Sequence, residues 1–187
     1  MVASAMADDE RLTALMIGYQ NGNGEDFAGL YEALSTPLRR YLWSFVHDAA
    51  TADDLLQETF LQVHRARHTY TPPRPVRPWI YAISRHVALM HLRSSRRRKE
   101  VLPNEELPDM PVPPEVERLG DRAIAWRLLD QLPRSGREVL ILHHILGLTF
   151  QEVGQILGLA AGTAKVRAHR AIKALRNRMK TSVGGSL

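Results

Sequence analysis

Cysteine is absent from the 187 residues, which excludes disulfides and every zinc site built on thiolates. No apolar stretch approaches the roughly 18–20 residues a membrane-spanning helix needs, so no direct membrane association is expected. The first ten residues lack a basic start and an apolar core, and so do not read as a secretory signal. Met6 is a second candidate start, which would leave residues 1–5 as an extension. A Gly-rich phosphate loop, a nucleophile elbow and a His-Glu-x-x-His pair are all missing, so the chain does not read as an enzyme. Of eight histidines, His64 and His68 stand at the i, i+4 spacing that can hold a metal, but no third ligand accompanies them. Solvated or interfacial histidines are the default, and neither a metal nor another cofactor is expected. No segment reads as a strand.

What is present is helical and unevenly charged. Hydrophobic residues make up 44% of the chain, enough for packed cores. The net charge of +5 hides a pattern: residues 1–99 carry 13 basic and 10 acidic groups, residues 100–121 carry 1 and 7, and residues 122–187 carry 11 and 3. Two basic lobes therefore flank an acidic connector.

The most informative stretch runs from Leu148 to Lys180. Thr149 and Glu152 form a capping-box pattern that starts a helix near Phe150. Val153, Ile156 and Leu157 supply its apolar side, and Gly158 is a natural stop. A second helix begins at Ala161–Gly162, with Ala164, Ala168, Ala171, Leu175 and Met179 on its inward face. Its other face carries Lys165, Val166, His169, Arg170, Lys173 and Arg176. Between Ala161 and Lys180 there are seven Lys or Arg and no acidic residue. Two helices, a tight turn and a basic outer face of one sign describe a helix-turn-helix whose second helix enters a DNA major groove. A merely solvated basic helix is the bland alternative.

Further upstream, apolar periodicity predicts helices over 11–20, 26–46 (with Pro37 as a kink or break), a third capped by Thr51 or Asp48 and running to about 67 (packed through Leu55, Leu56, Phe60, Leu61 and Val63), and 79–93. Between the last two lies a loop, residues 68–78, stiffened by four prolines. The basic run Arg96–Lys99 follows. Residues 100–118 read as an extended acidic, Pro-rich linker with too little apolar content to fold. Helices at about 119–131 and 135–146 complete a small core under the helix-turn-helix. The expected fold is all-α: two small helical domains, 10–99 and 119–182, joined by that linker. On the third upstream helix, Asp54, Gln57 and Glu58 share one face, either plain solvation or a docking surface for protein.

Asp53-Asp-Leu-Leu-Gln-Glu-Thr-Phe-Leu61, then Pro78-Trp-Ile-Tyr-Ala-Ile-Ser-Arg85, then Leu132-Pro-Arg with Arg137-Glu-Val-Leu140 ahead of the helix-turn-helix, resemble the extracytoplasmic-function (ECF) sigma factors of bacterial RNA polymerase. The likeness covers roughly residues 10–180, in order. It implies that residues 10–99 form the region 2 domain, which binds core polymerase and melts the −10 element. Residues 119–182 would be the region 4 domain, which reads the −35 element. It further implies that Asp54, Gln57 and Glu58 meet core polymerase, and that Lys165, Val166, His169 and Arg170 face −35 bases, with Arg167, Lys173 and Arg176 nearer phosphates. For the −10 single strand, Tyr70, Arg74, Arg77, Trp79, Tyr81 and Arg85 are the candidates. Trp79, beside Ile80 and Ile83, reads more as a core residue, and Tyr70 with the loop backbone is preferred for DNA.

The chain departs from the family pattern at Ala160 (a Ser cap is usual), at His86 and Met90 (Asn and Asp are common), at His143-His144 and in the proline-rich loop. The resemblance implies a cytoplasmic, dissociable initiation factor whose partners are core RNA polymerase, promoter DNA and an anti-sigma factor, soluble or membrane-bound. A stand-alone helix-turn-helix regulator would bind duplex tightly without polymerase. A decoy for an anti-sigma factor would not need the aromatic and basic −10 face.

Overall fold

In the computed structural model the chain separates into two units, Met1–Pro111 and Val112–Leu187. Residues 2–101, 126 and 128–183 are described, with side chains for 8–97, 126 and 128–178. Of the expected linker at 100–118, residues 100 and 101 are described and are helical rather than extended; the rest of it, and most of the helix at 119–131, lie outside the described residues. Every regular element among the described residues is helical.

The first unit is a bundle of four helices: α1 (Val2–Gln20), α2 (Gly24–Val46), α3 (Ala49–Ala66) and α4 (Val76–Val101). A 3-10 turn, Arg67–Thr69, follows α3. Asn23 starts α2 by accepting from the Glu25 N–H at 3.1 Å, and Glu25 and Asp26 place negative charge in its first turn. Asp48, rather than Thr51, caps α3: its carboxylate accepts from the Thr51 N–H at 2.8 Å and from the Thr51 hydroxyl at 2.5 Å. α2 passes through Pro37 without a break, forgoing one hydrogen bond for a buried face of Leu30, Leu34, Leu38, Tyr41, Leu42 and Phe45. Burial of each such side chain is worth about 1.5–3 kcal/mol, which outweighs the missing bond.

α2 packs on the other three helices, α1 and α3 each reach α4, and Tyr41 sits edge-on to Phe45 and to Tyr81. Two boundaries differ from expectation. α1 begins before Arg11, through good helix formers such as Ala3, Ala5 and Ala7. α4 begins at Val76, before Trp79, and continues through the basic run. Pro78 is tolerated there because the first-turn N–H groups have no intrahelical acceptor.

In the second unit, residues 128–130 are helical, and α5 (Arg134–Leu140) runs on into a π-helical turn, Ile141–Ile145. Then come α6 (Phe150–Leu157) and α7 (Ala161–Val183). Both α5 and α6 pack on α7, through its small residues Ala164, Ala168 and Ala171. Leu175 is half-buried, and the Met179 side chain lies outside the described set.

Candidate functional site

Three surfaces bring the chemistry-bearing residues together. The first is on α3. Asp54 and Gln57 are exposed, and Glu58, half-buried, accepts from Gln62 Nε2 at 2.6 Å. Neighbouring Asp53 is set apart from them: Arg39 of α2 grips its carboxylate with Nε at 2.5 Å and Nη2 at 3.1 Å. That fork–fork pair fixes the N-terminal part of α3 against α2. Leu61, expected in the core, is instead 42% exposed one turn beyond Gln57 and Glu58. Helical spacing gives Leu61 to the outer face, while Leu55, Leu56, Phe60 and Val63 are buried, Phe60 against Phe27 and Tyr31. Tyr31 is itself exposed, so an acidic and amide face is bordered by apolar groups.

The second surface is the loop 70–75 with the start of α4. Tyr70, preferred above as a stacking surface for DNA, is only 3% exposed. Its hydroxyl donates to the Arg74 carbonyl at 2.5 Å, and its ring lies 5.5 Å from that of Trp79. Gln20 Nε2 donates to the Arg67 and Tyr70 carbonyls at 2.6 and 2.8 Å, tying the end of α1 to the base of the loop. Tyr70 therefore braces the loop from inside and presents no free face. Tyr81 is likewise in the core against Tyr41, and burial pushes its phenol well above the ordinary range. A phenol there cannot stack on a base. Trp79, read above more as a core residue, is half-buried, so part of its indole faces outward. Arg74 is exposed, and Arg77 and Arg85 are half-buried. Arg77 Nε is buried with no hydrogen-bond acceptor among the described residues. Further along α4, His86, Met90, Arg93, Arg96 and Arg97 are exposed.

The third surface is α7. Thr149 and Glu152 close the capping box of α6, with the Thr149 N–H donating to Glu152 Oε2 at 2.6 Å and the Glu152 N–H to Thr149 Oγ1 at 3.2 Å. The His143 ring stacks on Phe150 at 3.9 Å, and its Nδ1 bonds the Leu148 carbonyl at 2.7 Å, which steadies the entrance to α6. His144 beside it is held below the usual imidazole range by burial and then by His143. Gly158 takes the left-handed conformation, φ 67°, that ends α6. The chain then folds back so closely that a Cβ on Gly154 would lie 2.5 Å from the Leu159 carbonyl oxygen. Gly154 carried no obvious sequence signal, because its constraint comes from residues that return over it. Lys165, Val166, His169, Arg170, Lys173 and Arg176 are exposed on one side of α7, with Arg167 half-buried. Arg178 turns away, donating to the Gln131 carbonyl.

The geometry offers one acidic and two basic surfaces, and comparison with known proteins says what kind of chain carries them. The Sigma-70 region 2 family matches residues 30–98, and the Sigma-70 region 4 family matches residues 122–175. The ECF RNA polymerase sigma factor SigC of Mycobacterium tuberculosis is 31% identical over 94% of this chain and 94% of its own length. The chain belongs to the ECF sigma factors. A second member, SigF of Caulobacter vibrioides, is 34% identical over 96% of this chain and 100% of its own. Among solved structures, CnrH in complex with the cytosolic domain of CnrY aligns with a TM-score of 0.69 at 23% identity, covering 90% of this chain and 96% of that one. The sigma factor RpoE of Bartonella quintana, solved with the anti-sigma factor NepR, aligns equally well at 23% identity, over 83% and 98%. These two show the shared fold. As a member of its family, this sigma factor binds RNA polymerase and directs promoter-specific initiation. Sigma factors are regulators of transcription, and among the described residues no helix is long and apolar enough to cross a membrane.

Proposed function

We propose the following division of labour within this sigma factor. Residues 10–99 bind core polymerase and the −10 element, residues 119–182 read the −35 element, and 100–118 link them. Asp54, Gln57 and Glu58 dock on core polymerase, with exposed Leu61 and Tyr31 adding apolar contact at the rim. Arg74, Arg77, Trp79 and Arg85 meet the melted −10 strand, Trp79 by stacking, which is worth about 1–3 kcal/mol per base. Tyr70 and Tyr81 act from the core, holding the loop and α4 in place. On α7, Lys165, Val166, His169 and Arg170 reach base edges, while Arg167 and Lys173 go to phosphates.

Each unit alone binds weakly, and polymerase holds both at the promoter spacing. The chain works in the cytoplasm and performs no catalysis; bond making belongs to the polymerase. An anti-sigma factor controls it by covering these faces, a reading supported by relatives of this fold solved with CnrY and NepR.

The observation that carries this reading is the pairing of an exposed acidic and amide face on α3 with an acid-free basic face on α7. The test replaces Asp54, Gln57 and Glu58 together by Ala and titrates the full chain against core polymerase. Truncating interface anchors costs more than about 1 kcal/mol each, so affinity should fall at least roughly tenfold with the circular-dichroism melt unchanged. Unaltered affinity would remove α3 from the interface.

A further inference from the structure

Along α4, Trp79, Ile83, His86, Met90, Arg93 and Arg97 follow one another at alternating steps of four and three residues, so they form a single stripe on one helix face. Trp79 and Ile83 are half-buried, and the remaining four are exposed. Met90 stands out because it is 50% exposed. A lone surface methionine needs no explanation by itself. This one is in register with a partly exposed indole on one side and two exposed guanidinium groups on the other. Arg93 and Arg97 suit phosphates, and His86 can bond an acceptor or donor edge. Met90 is the one wholly apolar side chain on the exposed part of the stripe. The edges of bases carry one apolar group to match it, the C5-methyl of thymine. A flexible thioether adapts to such a contact without exact shape.

We propose that Met90 is a specificity-determining residue of the −10 face and receives the C5-methyl of a thymine, while Arg93 and Arg97 hold the adjoining phosphates. The inference rests on the reading of α4 as the −10 face. Met90 lies eleven positions beyond Trp79, about 16 Å along the helix. That distance is on the order of five stacked base steps from the base held at the indole.

The test uses holoenzyme assembled from the full chain and core polymerase, on a promoter selected from a random library by run-off transcription. Each thymine in and around the −10 element is replaced singly by deoxyuridine, which lacks only the methyl group, and open-complex formation is measured. One position should show a loss of roughly fourfold, the ratio that burying one methyl group produces. In Met90→Ala the thymine-to-deoxyuridine ratio at that position should fall to about one, and in Met90→Leu it should persist. Arg93→Ala and Arg97→Ala should flatten the salt dependence on every sequence alike. Equal ratios for the wild type and Met90→Ala at all positions overturn the proposal. So does weaker core-polymerase binding by Met90→Ala with the ratio unchanged, which would make the stripe a protein-docking face. If the two arginine variants also leave the salt dependence unaltered, the reading of α4 as the −10 face falls with it.

Discussion

Adding one methyl group at Gly154 tests whether the helix-turn-helix is as tight as its geometry indicates. The new Cβ would lie 2.5 Å from the Leu159 carbonyl oxygen and 3.4 Å from the Ala161 nitrogen. Both are backbone atoms, so no side-chain rotation relieves the collision, and residues 159–161 must move. The Gly154 carbonyl also accepts the Gly158 and Leu159 N–H groups, the latter at 2.8 Å, and moving the turn loosens both bonds. Overpacking of this kind costs about 1–3 kcal/mol, while exchanging glycine for alanine inside a helix returns about 0.5–1 kcal/mol. Gly154→Ala should therefore destabilise the second unit by about 1–2 kcal/mol and weaken −35 duplex binding by changing the angle between α6 and α7. Gly162→Ala is the control, since nothing lies within 4 Å of its added Cβ; it should stabilise by about 0.5–1 kcal/mol. Urea titration of the fluorotryptophan-labelled chain reads the unit directly, because Trp126 is its one tryptophan. If both substitutions stabilise equally, the close return of the chain over Gly154 is wrong.

Further outcomes are expected at the α3 cap and on α7. Asp48→Ala should cost about 1 kcal/mol through loss of the α3 cap. Hydrogen bonds from the Thr51 side chain and backbone hold the Asp48 carboxyl below the usual carboxylate range. The cap's charge-dependent contribution is therefore fully present above the unfolded carboxylate pKa and is lost as pH falls through the lower, folded value. Asp48→Asn, which caps without charge, should remove that part of the acid sensitivity in thermal melts taken across the acid range. On α7, Lys173→Ala should weaken duplex binding uniformly across sequences and reduce the slope of log affinity against log salt by about 0.9. Arg170→Ala should instead cost about 1–3 kcal/mol on the selected −35 sequence and much less on scrambled duplex. Identical profiles for the two variants in a fluorescence-anisotropy salt series would contradict the assignment of base and phosphate contacts.

The parts of the fold that could be read in advance are those whose causes lie within a few residues. Thr149 and Glu152 satisfy each other's backbone donors, and Gly158 ends α6 through its own backbone freedom, so neither needs the rest of the molecule. The exposed basic face of α7 follows the same logic, since helical period and charge of one sign leave no other arrangement. Boundaries were less legible at Val76, where a proline-rich stretch resembled loop although its last proline fits a helix's first turn.

Periodicity alone names the side of a helix, and it determined the acidic and amide face of α3, the helix-turn-helix and the all-α character of this sigma factor. It does not say how deeply a side chain on the boundary of that side is buried. Tertiary packing decided that Tyr70 and Tyr81 lie inside, that Trp79 keeps an open edge and that Gly154 admits no side chain. Each of those depends on which residues from distant parts of the chain come to rest against it, and close packing makes that a property of the assembled unit.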